Sequence, residues 1–291
     1  MIFDNTMIEA FKSCPQKYRY RHIKNLIPNE ESNIDLVAGQ AFARGIETLR
    51  NSFYRKNLSI DESMDQAKQA IKDVYLVNGD MVIPKYNYKT LTGMLGAFEA
   101  YMEKWVPGKD GYKPLFIEQS LSMPITLWDS YYGTPDCIAE DADGVLWAID
   151  EKTTGRFSDD WYAQWTLNSQ MTGYVALMTH QWPNREIGGC IIRGVSINKD
   201  GAKCIEVKIR RMQWEIDEWS ENTFRVVNLM MFEETNEVSI RMNNYTCVRC
   251  SYLPICSSNE RGMVIKNGYQ ERKWEPLNVI NKKDDIKYDG R

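Results

Sequence analysis

The order of apolar and polar positions predicts a helical first part of the chain. A helix opened by a capping box at Thr6 is interrupted at Cys14, which a proline follows. Apolar residues then recur at helical spacing in a segment that Asp35 would cap. A third helix begins at Asp61 and a fourth ends before Pro107. The first hundred residues are therefore predicted to be mainly helical.

After Pro114 the pattern changes to short runs typical of strands: "LFIEQSLSMPITL", "SYYGTPDCIAE" and "GVLWAIDEKTT". The last two runs are joined by Asp143-Gly144, a hairpin signal. A helix is predicted in "WYAQWTLNSQMTGYVALMTHQW", followed by strands near 188–198 and 203–210 and a helix over 214–234. This succession predicts an α/β fold, with a mixed β-sheet core flanked by helices.

The same pattern predicts one elaborated domain over residues 1–262. Its parts are a helical part at 1–110, a sheet core at 111–212, and a C-terminal helix with a cysteine clip at 213–262. The remaining residues, 263–291, are polar and of mixed charge. We expect them to form a loosely packed arm.

Composition narrows the class of protein. Of the 291 residues, 43% are hydrophobic, enough for a large core, but no window approaches the roughly eighteen apolar residues of a membrane span. The N-terminus has neither a basic region nor an apolar run, so reduced thiols and a cytosolic location are expected. A net charge of -4 argues against coating nucleic acid by bulk charge. Any DNA contact must be focal.

Three cysteines near the end of the chain, Cys247, Cys250 and Cys256, have the spacing of a metal clip. Cys14 is the candidate fourth ligand, and it would tie together two distant parts of the chain. Two alternatives stay open: Cys14 is a core residue while the others bind zinc weakly or not at all, or all four form a zinc site. The other cysteines lie in apolar, strand-like segments and are expected to be buried: Cys137, Cys190 and Cys204.

The predicted hairpin brings acidic residues together. Asp136 and Asp150 are each about seven positions from the turn, so they should be cross-strand neighbours. Lys152 shares the face of Asp150, whereas the Glu151 side chain points the opposite way and is expected to be a bystander. Paired carboxylates suit Mg²⁺ or Mn²⁺, with the lysine orienting or deprotonating a water. Taken alone, the pattern favours a solvated face with a salt bridge.

The residues in order resemble a known family. Asp136, then Asp150-Glu151-Lys152, then Gln170 and Tyr174 in "QMTGY" resemble the PD-(D/E)xK nucleases of the RecB type. The cysteine layout is similar to the iron-staple (4Fe-4S) branch, which includes the AddB nuclease domain and the CRISPR-associated Cas exonucleases. The resemblance implies a restriction-endonuclease-like fold whose N- and C-terminal helical parts are joined by a 4Fe-4S cluster on Cys14, Cys247, Cys250 and Cys256.

Roles for single residues follow from the resemblance. It implies that Asp136 and Asp150 are metal ligands, with the Glu151 backbone carbonyl as a third, and that Lys152 is catalytic. Gln170 and Tyr174, four apart on one helix face, would contact phosphate or base. An alternative is a polar pair at the edge of a packed helix. Glu118 is expected to be exposed on its strand, with an auxiliary role as the less favoured interpretation.

The chain departs from the family at Ala43. Many members carry a histidine metal ligand in a pattern similar to "GQAFARGIETL", where this chain has Ala43. Glu47 lies one helical turn further and would lean toward the metal. The histidines of this chain, His22 and His180, lie elsewhere and are expected to be structural or exposed.

The leading hypothesis is therefore a metal-dependent DNA nuclease, acting as an exonuclease on single-stranded DNA ends. Recombination, repair or phage DNA metabolism is the context that the resemblance implies. The alternative is a DNA-binding or partner-binding Fe-S module with weak or no cleavage, because Ala43 replaces the usual ligand.

Overall fold

The computed structural model describes residues 1–29, 34–76, 87–236 and 239–274. The strands within these residues are β1 (Ile2–Asp4), β2 (Leu26–Pro28), β3 (Lys113–Ile117), β4 (Leu121–Pro124), β5 (Ser130–Gly133), β6 (Cys137–Glu140), β7 (Leu146–Thr154), β8 (Ile187–Asn198), β9 (Gly201–Ile209) and β10 (Tyr269–Glu271).

The helices of the same residues are α1 (Asn5–Ser13), α2 (Pro15–Tyr18), α3 (Ile34–Arg50), α4 (Ile60–Leu76), α5 (Leu91–Lys104), α6 (Asp159–Ala163), α7 (Ser169–Gln181), α8 (Gln213–Glu234), α9 (Leu253–Cys256) and α10 (Arg261–Gly268). π-Helical turns follow α2 and α3, and a 3₁₀ turn at Tyr245–Arg249 precedes α9. No helix among the described residues combines the length and apolarity needed to cross a membrane.

The chain divides into two compact units that interleave along the sequence. The first comprises the described residues within Met1–Glu31, Ser120–Gly133 and Ser220–Arg291. The second comprises those within Ser32–Gln119 and Thr134–Trp219. The predicted single domain with three successive parts stays a prediction.

The second unit is built on a five-stranded sheet with the order β3-β6-β7-β8-β9. Neighbouring strands are antiparallel except β7 and β8, which are parallel and are connected through α6 and α7. Apolar residues of α3, α4 and α5 pack together with Val195 and Ile197 of β8 in one hydrophobic core cluster of this unit. The predicted mixed sheet flanked by helices is thus confirmed.

The first unit contains two small sheets, β1-β5-β4 and β10-β2. Its early and late segments are joined by hydrogen bonds of the buried residues Arg19 and Gln16. Arg19 donates to Ser239 Oγ at 2.7 Å and to the Glu233 carbonyl, and the Gln16 N–H donates to the Ile240 carbonyl at 3.0 Å. Chain segments more than two hundred residues apart therefore meet in one unit.

Several predicted elements differ from the structure. The predicted strand runs 115–127 and 130–140 each divide in two: β3 and β6 join the five-stranded sheet, while β4 and β5 pair with each other in the other unit. The break in the first run occurs at Glu118, which has φ of 52°. The first helix is capped by Asp4, whose carboxylate accepts from the Met7 N–H at 2.8 Å, rather than by Thr6. The predicted interruption at Cys14 is confirmed by its extended backbone.

The expected loose arm is also corrected in part. Residues from 263 onward complete α10, pair as β10 with β2, and end in an ordered contact of Trp274. The Trp274 indole N–H donates to Asp4 at 2.8 Å, and its ring stacks edge-on against His22. His22 is therefore structural, as expected. Residues 275–291 lie outside the described residues.

Candidate active site

The β6–β7 hairpin places Asp136 beside Asp150. Cys137 pairs with Ile149, which puts the residues just before and just after that pair opposite each other. The turn closes where the Gly144 N–H donates to the Asp141 carbonyl at 3.1 Å. Asp136 then accepts the Glu151 N–H at 2.8 Å. The cross-strand pair that the sequence predicts is therefore present.

Lys152 lies on the same face of β7 as Asp150, and the two side chains form an ion pair. The Asp150 carboxylate is buried, whereas Lys152 remains 32% exposed. Burial alone would lower the pKa of Lys152, but the carboxylates of Asp150 and Asp136 hold it above its usual value. Lys152 is therefore a cation next to the two acids.

The two acids are under electrostatic strain. Burial, followed by repulsion from Asp150, raises the pKa of Asp136 well above its usual value. Burial likewise raises the pKa of Asp150, even though the Lys152 ammonium opposes this shift. One nearby cation does not compensate both carboxylates. A further cation at this position would be favoured.

Glu118 adds a third acid to this region, which corrects the expectation of an exposed strand residue. It is half-buried, and its N–H donates to the Asp136 carbonyl at 3.2 Å. Burial and then the Glu47 carboxylate raise the pKa of Glu118 to about 8. This shift favours the neutral, protonated form of the carboxyl group. The left-handed backbone of Glu118 is uncommon for a residue with a side chain and indicates a constrained position.

The Glu151 side chain points away from the acids, as strand alternation predicts, but it is no bystander. Arg50 of α3 donates to both its carboxylate oxygens, and the Tyr101 hydroxyl of α5 donates to one of them at 2.9 Å. Burial raises the pKa of Glu151, but the Arg50 guanidinium outweighs it and holds the pKa below its usual value. Its side chain is thus bound within the protein, and only its backbone carbonyl is left as a candidate metal ligand.

Arg193 completes a buried network that the sequence analysis missed. It lies opposite Glu151 in the register of β7 with β8, and it donates to the Tyr101 hydroxyl at 3.2 Å and to Asp110 at 2.7 Å. Its guanidinium also lies over the Trp105 ring. The sequence did indicate a buried charge at this position, because Arg193 interrupts the apolar run "GGCIIRGVSI".

Gln170 and Tyr174 contact each other on α7, as their spacing predicts. The Gln170 amide donates to the Tyr174 hydroxyl at 2.9 Å, and this hydroxyl donates to the Thr134 carbonyl at 3.0 Å. Thr134 lies two residues before Asp136. Tyr174 is buried, so its hydroxyl anchors the segment that carries Asp136, while the half-buried Gln170 is the more accessible of the two.

Helix α3 runs along β7 and carries Ala43 and Glu47. Gly39 lies against Thr153, and Arg50 reaches Glu151. Between these contacts lie Ala43, which is half-buried, and Glu47, whose carboxylate pairs with Arg44 at 2.6 Å. Glu47 is thus engaged on its own helix while also acting electrostatically on Glu118.

All seven cysteines are free thiols, and Cys137 and Cys190 are buried as expected. Cys250 and Cys256 pack against an aromatic cluster that includes Tyr20 and Tyr252. Burial raises the pKa of Cys256, and the charges of Cys250 and Cys14 add to this rise. These three cysteines belong to the first unit, as does Cys247 on the 3₁₀ turn before α9. Cys204 is half-buried in the second unit.

Across the described residues, no group of three or more His, Cys, Asp or Glu side chains is arranged to hold a metal ion. The donor set at the hairpin fits a hard divalent cation nonetheless, because Mg²⁺ is commonly held by one or two carboxylates while keeping its waters. Asp136 and Asp150, whose mutual repulsion raises the pKa of Asp136, are such a pair. The thiols of the first unit have the chemistry that an iron-sulfur cluster requires.

Comparison with known proteins shows the family of the chain. The sequence profile of the PD-(D/E)XK nuclease superfamily matches residues 5–257, and the chain belongs to this superfamily. No curated protein sequence matches the chain.

Two solved structures are distantly similar to the chain. A candidate exonuclease from Eubacterium rectale is 11% identical, with a TM-score of 0.49 over 96% of this chain and 92% of its own. The protein SSO0001 is 15% identical, with a TM-score of 0.36 over 75% of this chain and 84% of its own.

Proposed function

We propose that the protein is a metal-dependent DNA nuclease that hydrolyses phosphodiester bonds at Asp136, Asp150 and Lys152. The observation that carries this proposal is the convergence of these three side chains on one face of the β6–β7 hairpin. Membership of the nuclease superfamily supports hydrolysis of a phosphodiester, with DNA as the substrate class. Action as an exonuclease on single-stranded DNA ends follows from the resemblance to RecB-type nucleases.

In this proposal Asp136, Asp150 and the Glu151 carbonyl hold Mg²⁺ or Mn²⁺. Such a cation supplies charge stabilisation to the phosphate in the transition state. The Lys152 ammonium, held in place by Asp150, orients the attacking water and donates a hydrogen bond to the phosphate. Tyr174 anchors the segment that leads to Asp136, and Gln170 contacts the substrate near the scissile bond.

The test is cleavage of end-labelled single strands, duplexes and circular single strands with Mn²⁺, with Mg²⁺ and with a chelator. We expect metal-dependent release of nucleotides from linear single strands and none from circles, because circles have no ends. Asp136→Asn should abolish the reaction. Cleavage that persists in the chelator, or that survives Asp136→Asn, would refute the proposal.

We further propose that Cys14, Cys247, Cys250 and Cys256 bind a 4Fe-4S cluster in the first unit. The location of all four cysteines in the first unit, although Cys14 is more than two hundred residues from the others, supports this assignment. Cys14→Ser should lower iron content, visible absorption and thermal stability together, whereas the matched change Cys204→Ser in the second unit should leave iron content unchanged. Bound zinc without colour in anaerobically purified protein would contradict the iron assignment. Free thiols suit the reducing cytosol of a bacterium or a phage-infected host.

A second candidate function is DNA binding without efficient cleavage. The observation that favours it is Ala43, since an alanine cannot provide the imidazole ligand that many family members carry on this helix. The same cleavage assay separates the two functions. Retention of labelled single strands on the protein without any product, at all Mn²⁺ concentrations, would support the binding module.

A further inference from the structure

The face of β7 opposite the acids contains a buried ion pair that the proposed reaction does not use. The Glu151 carboxylate and the Arg50 guanidinium are 1% and 6% exposed, and the Tyr101 hydroxyl donates to the same carboxylate. A buried ion pair is weak evidence for stability, because an apolar pair of similar size often serves as well. Its presence directly behind the candidate catalytic residues therefore calls for a different role.

The position of Glu151 points to a role in orienting its two neighbours on β7. It lies between Asp150 and Lys152, and its own N–H donates to the Asp136 carboxylate at 2.8 Å. Successive side chains of a strand point to opposite faces, so fixing the rotation of one residue fixes the direction of its two neighbours. Three hydrogen bonds from two different helices hold the Glu151 carboxylate. They therefore also hold the directions of Asp150 and Lys152.

The holding groups are themselves fixed. The Tyr101 hydroxyl accepts from Arg193 at 3.2 Å while it donates to Glu151. Arg193 is in turn bound by Asp110 at 2.7 Å and lies near the rings of Trp105 and Tyr112, at 5.0 and 5.6 Å from their centroids. A guanidinium between aromatic rings and a carboxylate has little freedom to move. Helices α3 and α5 and strand β8 thus act together on one carboxylate.

We propose that Arg50 is a positioning residue: with Tyr101, it clamps the Glu151 side chain and thereby sets the Asp136, Asp150 and Lys152 geometry that binds the cation and the scissile phosphate. This inference rests on the proposed nuclease function for its catalytic part. Its metal-binding part stands apart from catalysis. Groups that orient metal ligands from behind commonly account for about 10- to 100-fold in metal affinity or activity.

The test removes the two-point hydrogen bonding of the Arg50 guanidinium and keeps the positive charge. Arg50→Lys retains a cation but cannot bind both carboxylate oxygens. We expect about 10- to 100-fold weaker Mn²⁺ binding, followed by the electron paramagnetic resonance of free Mn²⁺, and a similar fall in kcat with little change in KM for DNA. The matched control is Arg185→Lys. Arg185 pairs at 2.6 Å with the half-exposed Glu140, which lies near the turn of the same hairpin. This control should bind Mn²⁺ as the parent does.

A second variant separates positioning from stability. Arg50→Met combined with Glu151→Met removes both charges at once, a change that is often neutral for stability. We expect a thermal midpoint close to that of the parent, with Mn²⁺ binding still weakened. Recovery of Mn²⁺ affinity together with stability would overturn the proposal, because the pair would then matter only for folding.

The outcomes for the two proposals are distinguishable. Parent-like Mn²⁺ binding by Arg50→Lys would overturn the positioning role while leaving the nuclease proposal intact. A parent that binds Mn²⁺ but cleaves no DNA would refute the nuclease proposal, and the Mn²⁺ affinities alone would then decide the positioning role. A parent that binds no Mn²⁺ would overturn both.

Discussion

Two carboxylates one residue apart on β7 have opposite surroundings. Asp150 shares its face with Asp136 and has one nearby ammonium, so its pKa is raised by burial despite the opposing charge of Lys152. Glu151 faces a guanidinium and a tyrosine hydroxyl, and its pKa is lowered by Arg50 although burial opposes this. On one face a single ammonium is near two carboxylates, whereas on the other face the Glu151 carboxylate has the Arg50 guanidinium as its own partner.

This contrast indicates which face of β7 can bind a cation. A carboxylate already satisfied by arginine has no electrostatic reason to bind another cation, whereas a pair of acids that repel each other does. Acids whose pKa is raised, such as Asp136 and Asp150, are candidates for function. Glu151, which is paired with Arg50, is a candidate for a structural role. We therefore assign chemistry to the Asp150 face and support to the Glu151 face.

The largest expected effect is on cleavage. Asp150→Ala or Lys152→Ala should reduce kcat by about 10³-fold, since a bound cation provides several kcal/mol to the transition state and about 1.4 kcal/mol corresponds to a factor of ten. The measurement is single-turnover cleavage of a labelled single strand in Mn²⁺. Asp143→Asn, an exposed acid on the turn of the same hairpin, is the control and should cleave normally. A loss no greater than that of the control would remove Asp150 from the site.

The next effect is on stability at the other face. Glu151→Gln should lower the free energy of unfolding by about 3 kcal/mol, because it leaves the buried Arg50 charge without its partner. Urea unfolding measures this change. The matched change Glu140→Gln, in a half-exposed pair with Arg185, should cost less than about 1 kcal/mol. Equal costs would mean that the buried pair is no different from a surface pair.

A smaller effect concerns the pH dependence of stability without metal. The pKa of Glu118 is about 8 in the folded protein against an ordinary 4.5. Stability that depends on its proton is therefore complete below the ordinary value and is lost as pH rises through about 8. Glu118→Gln keeps a neutral side chain and should flatten this decline, measured as urea midpoints across that range. An unchanged slope would show that Glu118 is ionised at neutral pH.

The smallest expected effect concerns Ala43. Ala43→His should tighten Mn²⁺ binding several-fold and Mg²⁺ binding less, because nitrogen ligands suit transition metals better. Glu47→Ala should weaken Mn²⁺ binding in the parent more than in the Ala43→His protein, if Glu47 substitutes for the absent ligand. Titrations of cleavage with both metals measure this. No gain from the histidine would indicate that α3 contributes no ligand to the site.

Local rules were sufficient for the hairpin. The Asp143-Gly144 turn and the alternation along β7 correctly predict that Asp136 lies beside Asp150 and that Lys152 and Glu151 point to opposite faces. These relations depend on residues close in sequence. The predicted helix over 214–234 also agrees closely with α8.

Long-range relations were not predictable in the same way. Nothing near Glu151 in the sequence indicates that Arg50, about a hundred residues earlier, is its partner. The burial of Arg50 could have been noticed, because it follows Leu49 on the buried side of α3. Glu118 has a left-handed backbone and separates strands of different sheets. A glycine at such a position would have indicated this conformation in the sequence, but the residue is a glutamate. Tertiary contacts impose both features.

The most direct test of the contrast between the two faces is thermal unfolding of the parent, Asp150→Asn and Glu151→Gln with and without Mn²⁺. Without metal, Asp150→Asn should be at least as stable as the parent, because it removes repulsion, and Glu151→Gln should be less stable. With Mn²⁺, the parent should gain stability by mass action and Asp150→Asn should not. Equal destabilisation by both changes, with the same Mn²⁺ response in all three proteins, would contradict the assignment of the cation site to the Asp150 face.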